Sequence, residues 1–282
     1  MAHAVIGIDV AKERLDVALN VSQHMLFTWV ENDPAGYQRL VTWLHKQRVV
    51  QAHVCLEATG QYSEGVAEYL YLQGYLVSVV NPARIRHYGN SKLRRNKTDK
   101  ADAELIAEYG LRENPPLWCP PPASFKHLQA LIRHLDDLQV SLTRETNRLS
   151  SGVRTPEVIE HLKTLIDVLK QQIQQTKSMI QEHINQYPDL KKKQLLLMSI
   201  PGIGALTAAK VLGEVREVTD FDDARQLSAY AGLTPRNFLS GSSVHKKSRL
   251  SKTGNSNLRK ALYLPAISAK HHNRIVREFC AR

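Results

Sequence analysis

The stretch Val5-Ile6-Gly7-Ile8-Asp9-Val10 is apolar and largely β-branched, apart from one carboxylate near its end. With Ala4 it reads as a buried strand over residues 4–10. Two more runs of the same kind follow after short links, Arg14–Val21 and His24–Glu31, which predicts an antiparallel meander of three strands. Residues 33–47 then place Tyr37, Leu40, Val41 and Leu44 on one helical face, with Asn32 or Asp33 as the cap. Residues 52–58 predict a fourth strand and 62–73 a second helix stopped by Gly74. A fifth strand over 75–80 ends at Asn81-Pro82. A basic stretch and a helix from about 98 to 112 complete an α/β domain over residues 1–115.

Two strands of this domain end in acids. Asp9 closes the first, and Glu57 closes Val54-Cys55-Leu56-Glu57. A carboxylate in a core strand costs free energy unless it is paired or binds a metal. One such acid is as often a turn or cap residue. Two, in the order strand, strand, strand, helix, strand, resemble a ribonuclease-H-like (RuvC-like) sheet. A third element, Thr98-Asp99-Lys100-Ala101-Asp102-Ala103, puts Asp99 and Asp102 on one helical face. Asp99 also suits a helix N-terminus electrostatically, and Asp102 less so. Four carboxylates from two strands and a helix suit a two-metal site for phosphodiester chemistry, with Mg²⁺ or Mn²⁺ as the cofactor.

Charge is distributed unevenly. The formal net charge is +11, and residues 191–282 carry all of it, with 17 Lys and Arg against 6 Asp and Glu. The preceding residues balance to zero, yet Arg84, Arg86, Lys92, Arg94, Arg95 and Lys97 form a basic stripe without an acid. Local cationic stripes on a neutral frame fit phosphate binding. With 43% hydrophobic and 23% charged residues, the composition is that of a globular chain rather than a disordered one. Cys55, Cys119 and Cys280 are too scattered for zinc or a disulfide framework. Without a signal peptide or a membrane-length apolar run, the expected location is the cytoplasm, with the nucleoid as its site of action and no membrane partner.

A proline-rich segment over residues 115–122 marks a boundary. Beyond it, Leu128, Leu131, Leu135, Leu138, Leu142 and Leu149 step by threes and fours with Glu145 interrupting. Leu162, Leu165, Leu169, Ile173, Ile180 and Ile184 do the same around Thr176. The turn signals at Ser150-Ser151-Gly152 and Thr155-Pro156 make this an antiparallel coiled-coil hairpin over 123–190, either closed on itself or joining subunits. Residues 194–282 read as a mostly helical domain. Within it, Pro201-Gly202-Ile203-Gly204 before a small-residue helix looks like a helix-hairpin-helix, with Gly202 and Gly204 bringing backbone N–H groups to phosphate. Further on, Ser240-Gly241-Ser242-Ser243 lies close to Lys246, Lys247, Arg249 and Lys252. This is either a loop or a nucleophilic hydroxyl in a cationic setting.

Taken in order, Gly-Ile-Asp-Val, Glu57, Thr-Asp-x-x-Asp-Ala, Pro-Gly-Ile-Gly, Ala-Gly-Leu-Thr-Pro-Arg and Ser-Lys-Thr-Gly-Asn through Leu-Arg-Lys-Ala-Leu-Tyr resemble the DEDD family of transposases. That family includes insertion-sequence enzymes guided by a bridge RNA and the pilin-gene invertase. The resemblance implies that Asp9, Glu57, Asp99 and Asp102 are metal-binding acids of a RuvC-like domain. It implies that Ser240 is a nucleophile forming a 5′-phosphoserine link, with Ser242 and Ser243 as neighbouring alternatives. It further implies donor and target DNA and a guide RNA as partners, and homo-oligomers from dimer to tetramer with a composite site. It also implies a helical stretch beyond His272-Asn273-Arg274-Ile275-Val276, where this sequence ends at Arg282.

Three rivals fit parts of the pattern. A Holliday-junction-type resolvase would use the same acids with water and would not need Ser240. An actin-like or sugar-kinase ATPase shares a strand meander but needs glycine-rich phosphate loops, and Val10-Ala11-Lys12-Glu13 supplies none. A non-catalytic nucleic-acid-binding remnant has no use for buried acids.

Overall fold

The meander forms as β1 (Val5–Val10), β2 (Arg14–Val21) and β3 (His24–Glu31). In the computed structural model, which describes residues 4–22, 24–92, 98–240 and 244–281, these strands belong to a five-stranded sheet ordered β3-β2-β1-β4-β5. The first three are antiparallel, and β4 (His53–Glu57) and β5 (Leu76–Val80) run parallel to β1. That is the ribonuclease-H-like arrangement expected from the sequence. Alternation decides what each face does. Ile6, Ile8, Leu15, Val17, Leu19, Val54 and Leu56 share a core with Leu40 and Leu44 of α1 (Pro34–Lys46) and Val66 and Leu70 of α2 (Gln61–Leu72). Asp33 caps α1 by accepting from the Gly36 N–H at 2.7 Å, with Pro34 in the first turn.

The opposite face takes α4 (Asp99–Glu113), which packs on β1, β2 and β4. Between β5 and α4 lies α3 (Pro82–Ser91), where the sequence reading had only a basic stretch. Ile85 is the one buried residue of α3, so no apolar stripe announces it. Its Asn81 cap, which accepts from the Ala83 N–H at 2.8 Å, and Pro82 do. The proline-rich segment is also more than a boundary. Trp118 donates its N–H to the Val77 carbonyl at 2.7 Å, and the Ser78 hydroxyl donates to Pro115 and Pro116 carbonyls at 3.0 and 2.9 Å. The segment thus covers the open edge of β5.

Residues 1–120 form one compact unit and 121–282 a second. The second begins with α5 (Ala123–Ser150) and α6 (Pro156–Gln186), the expected hairpin. The two interruptions of its heptads are themselves buried. Thr176 bonds back to the Gln172 carbonyl at 2.8 Å, and Glu145 pairs with Arg144 and Arg148. α7 (Pro188–Met198) and α8 (Ala205–Glu214) follow, and α8 closes on the base of the hairpin. There Ala209 and Leu212 join Leu128, Ile132 and Ile184. Gln129 donates to the Gly213 carbonyl at 2.9 Å, and Lys210 pairs with Asp136.

After α9 (Ala224–Tyr230) the chain makes a two-stranded hairpin, β6 (Pro235–Ser240) and β7 (Val244–Leu250), in a region read from the sequence as loop or nucleophile setting. α10 (Ser256–His272) and α11 (Arg274–Cys280) end the chain. Buried Glu214 ties this part together. It accepts from Asn255 at 2.8 Å and Asn257 at 3.2 Å and faces Arg133 at 3.5 Å. Gly254, at φ +150°, passes so close to Tyr230 that a Cβ would stand 2.4 Å from its carbonyl oxygen. The Thr-Gly-Asn motif is therefore built into the packing at the foot of the β6–β7 hairpin. Among the described residues no helix is long and apolar enough to cross a membrane.

Candidate functional site: a carboxylate row under helix α4

The site is assembled by a contact between backbones. A Cβ at Gly7 would lie 2.2 Å from both the Ala103 carbonyl oxygen and the Ala107 nitrogen. Further along α4, a Cβ at Gly110 would meet the Cys55 Cβ at 2.9 Å and the Val5 side chain at 3.1 Å. Ala103, Ala107 and Gly110 are thus a small-residue stripe at i, i+4 and i+7 that lets α4 lie directly on β1. Because Gly110 lies over Val5 and Ala103 over Gly7, α4 runs antiparallel to β1. Its first turn therefore falls toward Asp9. Thr98 caps that turn, accepting from the Ala101 N–H at 3.2 Å, and the turn carries Asp99 and Asp102.

Asp9 shares the α4 face with Gly7. Across β1–β2 it stands opposite Asp16, and across β2–β3 Asp16 stands opposite Trp29. On the other side Ile8 pairs with Leu56, so Glu57 is next along β4 beside the end of β1. The electrostatics match this placement. The Asp9 carboxyl is pushed up to about 6, first by burial and then by the negative charge of Asp102, Glu57, Asp99 and Asp16. The other three acids expected from the sequence thus all act on Asp9. Asp16 is a fifth, missed because the pairing register of β1 and β2 decides which residue faces Asp9. The signal was an acid inside the apolar run Leu15-Asp16-Val17-Ala18-Leu19. Asp16 is buried and accepts from the Arg14 guanidinium at 2.5 Å.

Carboxylate oxygens are the donors that hard divalent cations take. Among the described residues, however, no three His, Cys, Asp or Glu side chains are gathered closely enough to grip an ion. The donor chemistry fits Mg²⁺ or Mn²⁺, and the repulsion at Asp9 is what a cation would relieve. The cage is not closed by the side chains as they stand.

This has a pH consequence. A carboxyl raised on folding favours the protonated state, so its contribution to stability is present in acid and is lost as pH rises through about 6. The melting temperature of metal-free protein is expected to drop more between about pH 4 and pH 7 in the wild type than in Asp9→Asn. Divalent cation is expected to raise it near pH 8 in the wild type alone. Matching pH profiles for the two proteins would contradict the repulsion described here.

The basic stripe divides. Arg84 and Arg86 are exposed on α3. Lys92 pairs with Glu108 and lies over the Tyr88 ring, so it braces α3 against α4 instead of standing open for phosphate. Arg94, Arg95 and Lys97 lie outside the described residues. In the second unit, Gly202 has φ +95°, and its Cβ position faces the Pro265 carbonyl oxygen of α10 at 3.4 Å, so it serves the turn. The Cβ position of Gly204 is open space, and Gly204 begins α8 without a side-chain cap. Ser240 is the last residue of β6, with its backbone paired to Val244. Ser242 and Ser243 and the side chain of Lys246 lie outside the description, while Lys247, Arg249 and Lys252 are exposed.

The chain is similar to known proteins along most of its length. A family described as "Transposase", of DEDD type, matches residues 6–155, and the "Transposase IS116/IS110/IS902 family" matches residues 194–281. The chain is 38% identical to the pilin gene-inverting protein of Moraxella bovis, over 95% of this chain and 83% of that one. It is 27% identical to the transposase for insertion sequence element IS1328 of Yersinia enterocolitica, over 70% of this chain and 65% of that one. Among solved structures, T. thermophilus RuvC in complex with a Holliday junction substrate superposes with TM-score 0.31 at 16% identity, over 39% of this chain and 96% of that one. The chain belongs to the DEDD-type transposase and recombinase family of the IS110 insertion sequences, whose members are DNA-cleaving enzymes.

Proposed function

We propose that this enzyme cuts and rejoins DNA strands with Asp9, Glu57, Asp99 and Asp102 as the acids of a divalent-metal site and Ser240 as the nucleophile. The observation that carries the reading is the repulsion on Asp9 from the other three acids, one at the end of β4 and two in the first turn of α4. A structural cap or turn acid has no reason to be raised by three others. Mg²⁺ or Mn²⁺, when bound, supplies charge neutralisation at the scissile phosphate. The Ser240 oxygen attacks phosphorus and gives up its proton to solvent. The bond from phosphorus to the 3′ oxygen breaks, and that oxygen takes a proton and leaves as a 3′ hydroxyl. The 5′-phosphoserine link conserves the ester, and a 3′ hydroxyl from another strand reverses the step to rejoin DNA. Arg84, Arg86, Lys247, Arg249 and Lys252 hold backbone phosphates. Membership of the family supports a guide RNA as the source of sequence choice and an oligomer from dimer to tetramer as the working form.

The resolvase reading keeps the acids but uses water, which leaves no protein on DNA. Ser240 separates the two. Denaturing gels of a cleavage reaction are expected to show protein attached to a DNA 5′ end. Ser240→Ala is expected to lose the adduct and recombination, and to keep nucleic-acid binding within about twofold. Normal recombination by that variant would overturn the nucleophile. An adduct at Ser242 or Ser243 would keep the mechanism and move the residue.

A further inference from the structure

One surface beside the acids is used by nothing described so far. On the α4 face of the sheet, the cover of α4 reaches Ala18, with Met25 and Phe27 of β3 packed alongside. Beyond it lies a hollow of about 180 Å³ lined by Arg14, Asp16, Val17, Phe27, Thr28, Trp29 and Lys100. Its chemistry is specific. Trp29 is 54% exposed, a large aromatic left on an open sheet face. The Arg14 guanidinium lies 4.8 Å from the Trp29 ring centroid, held there by Asp16. The Lys100 ammonium lies 4.1 Å from the Phe27 ring centroid. Two aromatic rings are thus each paired with a cation. Trp29, Asp16 and Asp9 occupy one row across three strands, so the Trp29 backbone stands about 10 Å from that of Asp9.

Rings interleaved with cations are how proteins hold single-stranded nucleic acid: every base has a stackable face, and the cations take the phosphates. An acidic peptide would satisfy the cations but bring no aromatic plane to the exposed Trp29 ring. We propose that Arg14, Phe27, Trp29 and Lys100 form a stacking pocket for an unpaired base of the DNA strand being cut, within about three nucleotides of the phosphate at the acids. This rests on the reading of the acids as the cleavage centre. Holding a base out of its stack beside the cut opens the duplex there and presents the phosphate.

The test uses the full chain in EDTA with a fluorescently labelled oligothymidylate, so it needs neither metal nor cleavage. Trp29→Ala is expected to weaken single-strand binding roughly tenfold, the loss of one stacked base, with duplex binding changed less than about twofold. Trp29→Phe is expected to retain most of the affinity. In the wild type, photocrosslinking to 5-iodouracil in the oligonucleotide is expected to map to Trp29 or Phe27. Unchanged binding by Trp29→Ala, equal losses on single strand and duplex, or crosslinks confined to other elements would each overturn the pocket. So would Trp29-dependent binding of an RNA oligonucleotide without the DNA one. Because this binding is read without cleavage, a failure of the acids as a metal site shows in the Asp9 variants and not here.

Discussion

Asp9→Asn is expected to lower divalent-metal-dependent strand cleavage about 10³-fold or more, roughly 4 kcal/mol of barrier, while the protein stays folded. The two halves of this expectation have one cause. Asp9 is the carboxylate on which burial and four neighbouring acids converge, so its charge is unfavourable in the metal-free fold and useful only against a cation. Removing the charge relieves repulsion and takes away a central donor together. A folded Asp9→Asn protein that cleaves in Mg²⁺ within about tenfold of wild type would remove Asp9 from the chemistry.

Gly7→Ala carries the second large effect, and it has the opposite character. The added methyl has no room, because backbone atoms of Ala103 and Ala107 already stand 2.2 Å from its position and backbone cannot rotate aside. α4 must lift off β1, uncovering Ala18 and shifting Asp99 and Asp102 away from Asp9. A loss of roughly 3 kcal/mol or more is expected in urea unfolding, along with cleavage. Gly204→Ala, whose Cβ enters open space, is the matched control and is expected to stay within about 0.5 kcal/mol of wild type. Equal midpoints for the two variants would mean that α4 does not rest on Gly7 as described.

The sheet and its flanking helices could be read from the sequence because each buries a periodic apolar set: period two in β1 and β2, and three to four in α1 and α2. Asp9 and Glu57 stand out as acids at the ends of such sets, and Asp99 and Asp102 by their spacing on one helical face. What was missed lacked that contrast. α3 buries only Ile85, and the sequences Pro235–Ser240 and Val244–Leu250 do not alternate apolar with polar residues, so neither offers a core-facing pattern to detect. Asp16 was visible as a residue but not as a neighbour of Asp9, because registry between strands is a fact about pairing and not about either strand. Lys92 was counted with the cations of its stripe, yet its partner Glu108 lies on another helix. Local sequence reports a charge without reporting what has already claimed it. The same holds for Glu145 and Thr176, which look like faults in a heptad and are in fact buried within it.

The α5–α6 hairpin has a mechanical consequence. A seam made only of leucine and isoleucine lets two helices slide by a heptad at little cost, because every layer resembles the next. A buried polar contact that closes in only one alignment removes that freedom, and the buried His183 of α6 makes one by donating from Nε2 to the Ser124 carbonyl of α5 at 2.8 Å. Helix α5 has 28 residues, a rod of about 42 Å. With its alignment against α6 keyed at the base by the His183–Ser124 contact, the pair behaves as one stiff lever. A displacement at the tip, near Ser151 and Gly152, must then arrive at the α8 end as a rotation of the whole arm, since slippage between its two halves cannot absorb it.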